Sequence, residues 1–418
     1  MEHQTIYQDI AERTGGDIYI GVVGPVRTGK STFIKKFMEN LVIPNIQNEA
    51  RRERAVDELP QSAAGRTIMT TEPKFIPEEA VEVALEDGSA FRVRMIDCVG
   101  YIVPSSIGYV ENEAPRMVMT PWFPSEIPFN MAAEIGTRKV INEHSTIGLV
   151  VTTDGSISDI PREEYREAEE RVITELKELG KPFLVVLNSS YPNSDRAQAI
   201  RADIASRYDV TCVCADCLEL DEAAVTAIIK GVLYEFPVKE LDLFLPPWVD
   251  ALPYDHPIKS GLYTAIREGA AGMHRIRDVE RTVTAIGECD TVSSARITSI
   301  SLGTGLAAAQ LELPRGLFYD TLSEQSGFTI HDDGDLMELL SSLAHVKTEY
   351  DKVAGALEEV KSTGYGIVVP STDELVLEEP EIVKQGGRYG VRLKASAPSI
   401  HMIRADIETE VSPIVGNE

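Results

Sequence analysis

The chain has 418 residues, a hydrophobic fraction of 43% and a formal net charge of −27. Its length predicts two or three domains, and its acidity argues against free nucleic acid or anionic lipid as direct partners. No apolar run reaches the length of a transmembrane segment, and the N-terminus lacks the pattern of a secretory signal. Five cysteines, few and odd in number, suit a reducing cytoplasm better than a disulfide framework.

A strand, a glycine loop and a helix follow one another near the N-terminus. The β-branched run at 17–23 predicts a buried strand, and 31–38 predicts the start of a helix. Between them, residues 24–31 read G-x-x-x-x-G-K-S, the Walker A pattern of a phosphate-binding loop (P-loop). A chance match is the alternative, and the flanking strand and helix argue against it.

Each position of this loop has a physical task. Gly24 and Gly29 allow turns that a Cβ would block. The loop amides and the helix N-terminus attract phosphate oxygens, Lys30 reaches the β- and γ-phosphates, and Ser31 offers a hydroxyl to Mg²⁺. We therefore assign to nucleotide binding Gly24, Arg27, Thr28, Gly29, Lys30, Ser31 and Thr32.

A threonine-rich segment at 67–74 follows a polar stretch at 57–65. A Thr before the second strand can offer its hydroxyl to Mg²⁺ and its amide to the γ-phosphate, so that the loop becomes ordered with triphosphate. We expect Thr70 and Thr71 to be catalytic sensors, with Thr70 also a metal ligand. The alternative is an ordinary run of residues with high β-propensity.

Two alternating runs at 80–85 and 90–97, separated by a turn signal, predict an antiparallel hairpin. Asp97 ends the second run and Gly100 completes a D-x-x-G pattern. In P-loop proteins such an aspartate holds Mg²⁺ and the glycine amide can meet the γ-phosphate. We expect Asp97 to be catalytic and a metal ligand, and Gly100 to bind nucleotide, a surface turn being the alternative.

Strands and helices then alternate up to about residue 236. Predicted strands cover 146–152, 182–188 and 210–215, and predicted helices cover 131–143, 162–179 and 222–233. This order predicts an α/β P-loop NTPase domain at 1–237, similar to the small GTPases (TRAFAC type), with a mainly parallel sheet and one antiparallel hairpin.

A GTPase-like fold predicts a guanine-specifying N-K-x-D at the end of a later strand, but here that strand ends Asn188-Ser189-Ser190-Tyr191. We keep Asn188 among the nucleotide-binding residues. The absent aspartate removes hydrogen bonds that guanine requires, a loss of about 1–3 kcal/mol, so ATP is favoured unless another residue such as Asp195 substitutes. Tyr101 stands where many such enzymes position water with Gln, which predicts slow hydrolysis.

No catalytic arginine can be assigned. Arg27, Arg66 and Arg116 are conceivable, but arginines on a surface are more often simply solvated. The second half predicts an α+β region, divided into a middle domain at 238–330 and a helix plus β-rich region at 331–418. There we expect a helix at 257–281, alternating runs at 282–286 and 295–313, and a long helix at 335–362.

Several long blocks together resemble the stage IV sporulation protein A family of endospore-forming bacteria. They are the segments 10–19, 24–31, 57–65, 67–75, 133–141, 361–367 and 397–403. The resemblance covers essentially the whole chain. Members of the family continue well past the point that matches Glu418, so we expect this chain to lack a C-terminal region.

The resemblance implies a morphogenetic ATPase that self-assembles into a static shell, the basement layer of the spore coat. By the same resemblance, the shell is expected in the mother-cell cytoplasm at the outer forespore membrane. The resemblance also implies that Lys30, Asp97, Thr70 and Thr71 serve ATP binding and hydrolysis. It implies further partners, namely a small amphipathic membrane-anchoring coat peptide and other coat morphogenetic proteins.

Two other hypotheses about the function stay open. The chain could be a GTP-dependent switch whose second half is an effector module, or a structural scaffold that binds nucleotide without turning it over.

Overall fold

The computed structural model describes residues 5–60, 73–84, 90–106, 110–111, 114–120 and 123–411, together with 413 and 416. The chain divides into two compact units, Met1–Pro314 and Arg315–Glu418.

The helices of the described chain are α1 (Ile6–Thr14), α2 (Lys30–Phe37), α3 (Glu49–Asp57), α4 (Phe129–Lys139), α5 (Arg162–Leu179), α6 (Asp195–Tyr208), α7 (Glu222–Tyr234), α8 (Pro257–Ala270), α9 (Asp278–Gly287), α10 (Arg315–Ser326) and α11 (Asp333–Thr363). Short π- or 3-10-helical turns lie at Met38–Val42, Ile43–Asn45, Val140–His144, Pro247–Val249 and Thr372–Glu374. No helix in this part of the chain has the length and apolar character that a membrane crossing needs.

The strands of the described chain are β1 (Asp17–Val23), β2 (Lys74–Ala84), β3 (Ala90–Asp97), β4 (Val110–Glu111), β5 (Ala114–Pro115), β6 (Met117–Val118), β7 (Ile127–Pro128), β8 (Ile147–Thr153), β9 (Phe183–Asn188), β10 (Cys212–Ala215), β11 (Glu240–Phe244), β12 (Ser294–Ser301), β13 (Leu306–Glu312), β14 (Tyr365–Val368), β15 (Val376–Leu377), β16 (Glu381–Gln385), β17 (Arg388–Arg392), β18 (Ala395–Ser396) and β19 (Ile400–Ile403).

The main sheet has the strand order β10-β9-β8-β1-β3-β2. All neighbouring pairs are parallel except β2 and β3, which form the antiparallel pair, so the predicted mainly parallel sheet with one hairpin is confirmed. The register sets Val22 of β1 opposite Asp97 of β3, and Thr153 of β8 opposite Asn188 of β9. The carboxyl ends of these strands therefore meet at one edge, where ligands of open α/β sheets bind.

Hydrophobic cores cover both faces of this sheet. Ile20 and Val22 pack on one face with Phe33 of α2, whereas Val23 and Val150 belong to a second core with residues of α4 and α5. Successive side chains of a strand point to opposite faces of the sheet, and here both faces are buried. The sequence of each of these strands is therefore a nearly continuous apolar run.

A buried ion pair within α5 is linked to β8 through the side chain of Thr152. Arg162 donates from both terminal nitrogens to Glu169, at 2.6 and 2.8 Å, and the Thr152 hydroxyl donates to the same carboxylate at 2.6 Å. All three side chains are buried. Breaking such a pair leaves an uncompensated charge out of water, which is more costly than losing an exposed pair.

We expect Arg162→Met to lower the free energy of unfolding by about 3 kcal/mol, because Glu169 would lose its counter-ion. The matched control is Arg171→Met, which removes an equally well-formed but solvated pair with Glu134 and should cost less than about 1 kcal/mol. Urea denaturation of the two variants checks this, and equal losses would contradict it.

A smaller sheet, β11-β13-β12, completes the first unit. β11 pairs with β13 in parallel, and β12 with β13 as an antiparallel hairpin. The N-terminal helix reaches this hairpin: Arg13 donates from Nε to the carbonyl of Leu302, and the Gly303 amide donates to Asp9 at 3.0 Å. Arg13 also donates to the carbonyl of Pro237 at 3.1 Å, so α1 is fastened to the region that follows the main sheet.

Two predictions in this region are wrong. The single helix expected at 257–281 is two helices, because the Asp278 carboxylate accepts the amides of His274 and Arg275 and starts α9 as a separate element. The alternating run at 282–286 lies inside α9, where Val279, Val283 and Ile286 follow a helical period into the core. Strand β11 and helix α10 were not predicted.

The second unit contains α10, the 31-residue helix α11 and small antiparallel pairs. Strands β14 and β19 pair beside α11, β15 pairs with β18, and β16 with β17. The long helix expected at 335–362 is confirmed as α11. Asp332 caps its first turn and Gly364, in the left-handed conformation, ends it.

Candidate functional site

The loop between β1 and α2 is a closed turn that its glycines make possible. Gly24 has φ +135°, and a Cβ there would lie 2.2 Å from the carbonyl oxygen of Val151. Gly29, at φ +91°, precedes α2. The Thr28 hydroxyl donates to the carbonyl of Pro25 at 3.0 Å, so the loop is braced from within.

Lys30 points its ammonium group into this loop. The side chain is buried, and Nζ donates to the carbonyls of Pro25 at 2.6 Å and Gly24 at 3.4 Å. Among the described residues, no carboxylate lies within ion-pair distance of Nζ. Burial lowers the pKa of Lys30 from 10.5 to about 8, although the nearby Asp97 charge opposes the shift. The loop thus holds a desolvated cation that lacks an anionic partner from this part of the chain.

Ser31 and Asp97 meet beside the loop, although they are 66 positions apart. The Ser31 hydroxyl donates to Oδ2 of Asp97 at 2.7 Å. Burial raises the pKa of Asp97, while the Ser31 hydrogen bond and the Lys30 charge act in the opposite direction. Gly100, at φ +96°, lies so close that a Cβ would be 2.5 Å from Lys30 Nζ. Lys30, Ser31, Asp97 and Gly100 therefore form one cluster.

Asn188 joins the loop to the far strands of the sheet. Its Nδ2 donates to the carbonyl of Thr28 at 3.0 Å, and its Oδ1 accepts the amide of Cys217 at 3.0 Å. A Cβ on Gly29 would lie 2.3 Å from that Nδ2. Asn188 thus contacts the loop backbone and fixes the segment after β10.

The polar residues around Asn188 were not predicted from the sequence. Asp154 is buried after β8, and it accepts hydrogen bonds from the Ser189 hydroxyl at 2.7 Å and from the Ser156 hydroxyl at 2.6 Å. An Asp-Gly-Ser immediately after a buried strand was the available signal, since it had to lie at the same sheet edge as Asn188.

The remaining predicted residues are placed as follows. Thr32 is half-buried in the first turn of α2, and Arg27 adopts a left-handed φ of +64° within the loop. Thr70, Thr71 and Arg66 lie outside the described residues. Arg116 stacks over the ring of Phe129 at 5.7 Å.

Tyr101 is a packing residue in this structure. It is buried, its hydroxyl donates to Glu175 of α5, and its backbone pairs with the loop through Val26 and Gly24. The side chain therefore belongs to the core between the sheet and α5.

The chain matches two family models along its length. Residues 1–237 match the model described as the ATPase domain of stage IV sporulation protein A, and residues 238–416 match its middle domain. The first match assigns the sheet and its loop cluster to an ATPase domain.

Curated relatives agree with this assignment. The chain is 53% identical to stage IV sporulation protein A of Bacillus subtilis (strain 168) over 418 residues. It is 50% identical both to the protein of that name from Clostridioides difficile (strain 630) and to that from Bacillus anthracis. All of this chain and 85% of each relative are covered. The chain belongs to the stage IV sporulation protein A family.

Proposed function

We propose that the chain is a P-loop ATPase of the GTPase-like (TRAFAC) type that binds ATP with Mg²⁺ and hydrolyses it slowly. The observation that carries the proposal is the buried Lys30 ammonium beside the Ser31–Asp97 pair at the carboxyl edge of the sheet. The ammonium group attracts a polyanion, and hydroxyl and carboxylate oxygens are the ligands that Mg²⁺ prefers.

The surrounding residues fit a triphosphate. The Pro25 carbonyl that accepts Lys30 also accepts Thr28, and the Gly24 carbonyl also accepts the Tyr101 amide. Lys30 can therefore turn towards phosphate oxygens without leaving either carbonyl unsatisfied. Ser31 and Asp97 would hold the metal, with Thr70 as a further ligand. The bound metal would neutralise charge on the phosphate oxygens.

Each residue then has a task that its position allows. Lys30 and the loop amides bind and orient the phosphates, and Gly100 lies beside the Lys30 ammonium. Thr70 and Thr71 are proposed as the sensors of the terminal phosphate. Tyr101 packs into the core and supplies no water-positioning amide, which supports slow turnover.

The cellular role is proposed from the family. ATP binding and hydrolysis would license self-assembly into the basement layer of the spore coat at the forespore surface in the mother cell. An amphipathic membrane-anchoring peptide and other coat morphogenetic proteins would be partners. A differential affinity of a few kcal/mol between two conformations would suffice for such a switch.

Phosphate release by the purified chain tests the site. We expect Asp97→Asn to lower kcat/KM for ATP on the order of 100-fold, because metal coordination is weakened. Asp203→Asn is the control, since Asp203 forms only an exposed pair with Arg207. Unchanged hydrolysis in Asp97→Asn would remove the proposed metal site. Stronger binding of GTP than ATP would favour the GTP switch, and no product in a single-turnover assay would favour the scaffold.

ATP affinity should fall as the pH rises above 8. Lys30 must be charged to bind phosphate, its pKa in the free protein is about 8, and a bound polyanion would raise that pKa. Binding is then linked to proton uptake above pH 8. We expect about tenfold weaker binding at pH 9 than at pH 7, measured by calorimetry. Lys30→Met should bind weakly with no such pH dependence, and a flat profile for the unmodified chain would contradict the assignment.

A further inference from the structure

We infer that Tyr191 and Leu218, in the loops after β9 and β10, provide the apolar surfaces that hold the base of the nucleotide. The inference rests on the proposed function, because it assumes that a nucleoside triphosphate occupies the phosphate loop. It assigns a contact to the part of the ligand that the phosphate cluster does not touch.

The order of the strands sets the direction of the ligand. β1, which leads into the loop, lies between β3 and β8. Lys30, Ser31, Asp97 and Gly100 gather on the β3 side, which is therefore the end for the terminal phosphate and the metal. The nucleoside end must then extend towards β8, β9 and β10.

Asn188 brings the loops of that side against the phosphate loop. Its carboxamide contacts the Thr28 carbonyl and the Cys217 amide, and Leu218 follows Cys217 directly. Tyr191 comes three positions after Asn188. Both apolar residues therefore lie in segments whose backbone is tied to the loop.

Their own backbones are held as well. The Tyr191 amide donates to the Ser189 hydroxyl at 3.0 Å, and the Leu218 amide donates to Asp216 at 2.9 Å. The side chains are nevertheless 72% and 62% exposed, respectively. Large apolar side chains on a fixed backbone offer a stacking or packing surface at little entropic cost.

The buried carboxylate beside these loops does not favour guanine. Guanine recognition needs a carboxylate free to accept from the N1 and N2 groups of the base. Asp154, which is buried directly after β8, already accepts from Ser156 with one oxygen and from Ser189 with the other. Tyr191 occupies the position where N-K-x-D has its aspartate. Apolar contact without that acceptor suits adenine.

Two probes separate the base from the phosphates. The full chain is titrated with ATP and with inorganic tripolyphosphate, each with Mg²⁺. We expect Tyr191→Ala to bind ATP about tenfold more weakly and tripolyphosphate unchanged, because only base stacking is lost. Leu218→Ala should weaken ATP about threefold, and Tyr191→Trp should restore ATP affinity. Tyr254→Ala, which removes an 83% exposed tyrosine from another loop, is the control and should change neither affinity.

The outcomes distinguish this inference from the proposed function. Unchanged ATP binding in both Tyr191→Ala and Leu218→Ala overturns the base contact, and so does an equal loss of ATP and tripolyphosphate affinity. In either case binding of both probes by the unmodified chain leaves the phosphate site standing. If circular dichroism shows that the unmodified chain is folded and it still binds neither probe, the proposed function is wrong, and the base contact is wrong as well.

Discussion

Lys30→Met should stabilise the nucleotide-free protein while removing most of its affinity for ATP. The folded-state pKa of Lys30, about 8, lies below its ordinary value of 10.5, so the folded protein disfavours the charged form. The resulting penalty is fully present below pH 8 and disappears as the pH rises through 10.5. Methionine fills a similar volume without a charge. We expect a gain of about 1–3 kcal/mol in the free energy of unfolding at pH 7.

The same change should weaken ATP binding on the order of 100-fold, since a charge-assisted contact to phosphate is lost. Thermal unfolding and calorimetry at pH 7 measure the two effects. Lys35→Met is the matched control, because Lys35 lies on the same helix but is only half-buried and pairs loosely with Glu39, at 3.8 Å. A Lys30→Met protein that is less stable, or that keeps full ATP affinity, would show that the ammonium is part of the scaffold.

Gly24→Ala should destabilise the first unit by about 5 kcal/mol. The residue has φ +135°, where an L side chain is strained, and its new Cβ would lie 2.2 Å from the carbonyl oxygen of Val151. That oxygen belongs to the central strand β8, so it cannot move aside as a flexible side chain would. Strain and overpacking add, and denaturation or loss of soluble protein measures the result.

Gly15→Ala separates strain from the clash. Gly15 is also left-handed, at φ +66°, but a Cβ there would have nothing within 4 Å. We expect a cost of about 1 kcal/mol. Similar losses for the two variants would mean that backbone conformation alone, rather than close approach to β8, makes glycine necessary at position 24.

Local patterns predicted the strands of the main sheet and helices α2, α4, α5 and α7, but helices α1, α3 and α6 were not predicted. Helix α5 is found at the expected residues 162–179, because Tyr165, Ala168, Val172 and Leu176 repeat at helical spacing and Gly180 ends the helix. Parallel strands buried on both faces gave apolar runs that are easily recognised.

The predictions were less accurate where tertiary contacts determine the secondary structure. The run at 282–286 has β-branched residues and looks like a strand, but packing of Gly269 against Ile286, where a Cβ would lie 2.9 Å away, holds it in a helix against α8. Strand β11 alternates between exposed and half-buried residues, and it is a strand only because it pairs with β13.

The candidate site shows the same division. The loop motif and the D-x-x-G indicated that Ser31 and Asp97 belong together, and the structure sets their oxygens 2.7 Å apart. The roles of these residues towards a ligand stay predictions. The hydrogen bond from the Asn188 side chain to the Thr28 carbonyl could not be predicted. The two residues are 160 positions apart, and only the order of the strands brings them together.

The attachment of α1 has a consequence for how the chain is made. Arg13 and Asp9 belong to α1, yet Leu302 and Gly303 follow them by 289 and 294 positions. These bonds cannot form before the ribosome has produced nearly the whole of the first unit. During synthesis, α1 therefore has to wait for the turn between β12 and β13 before these contacts can form.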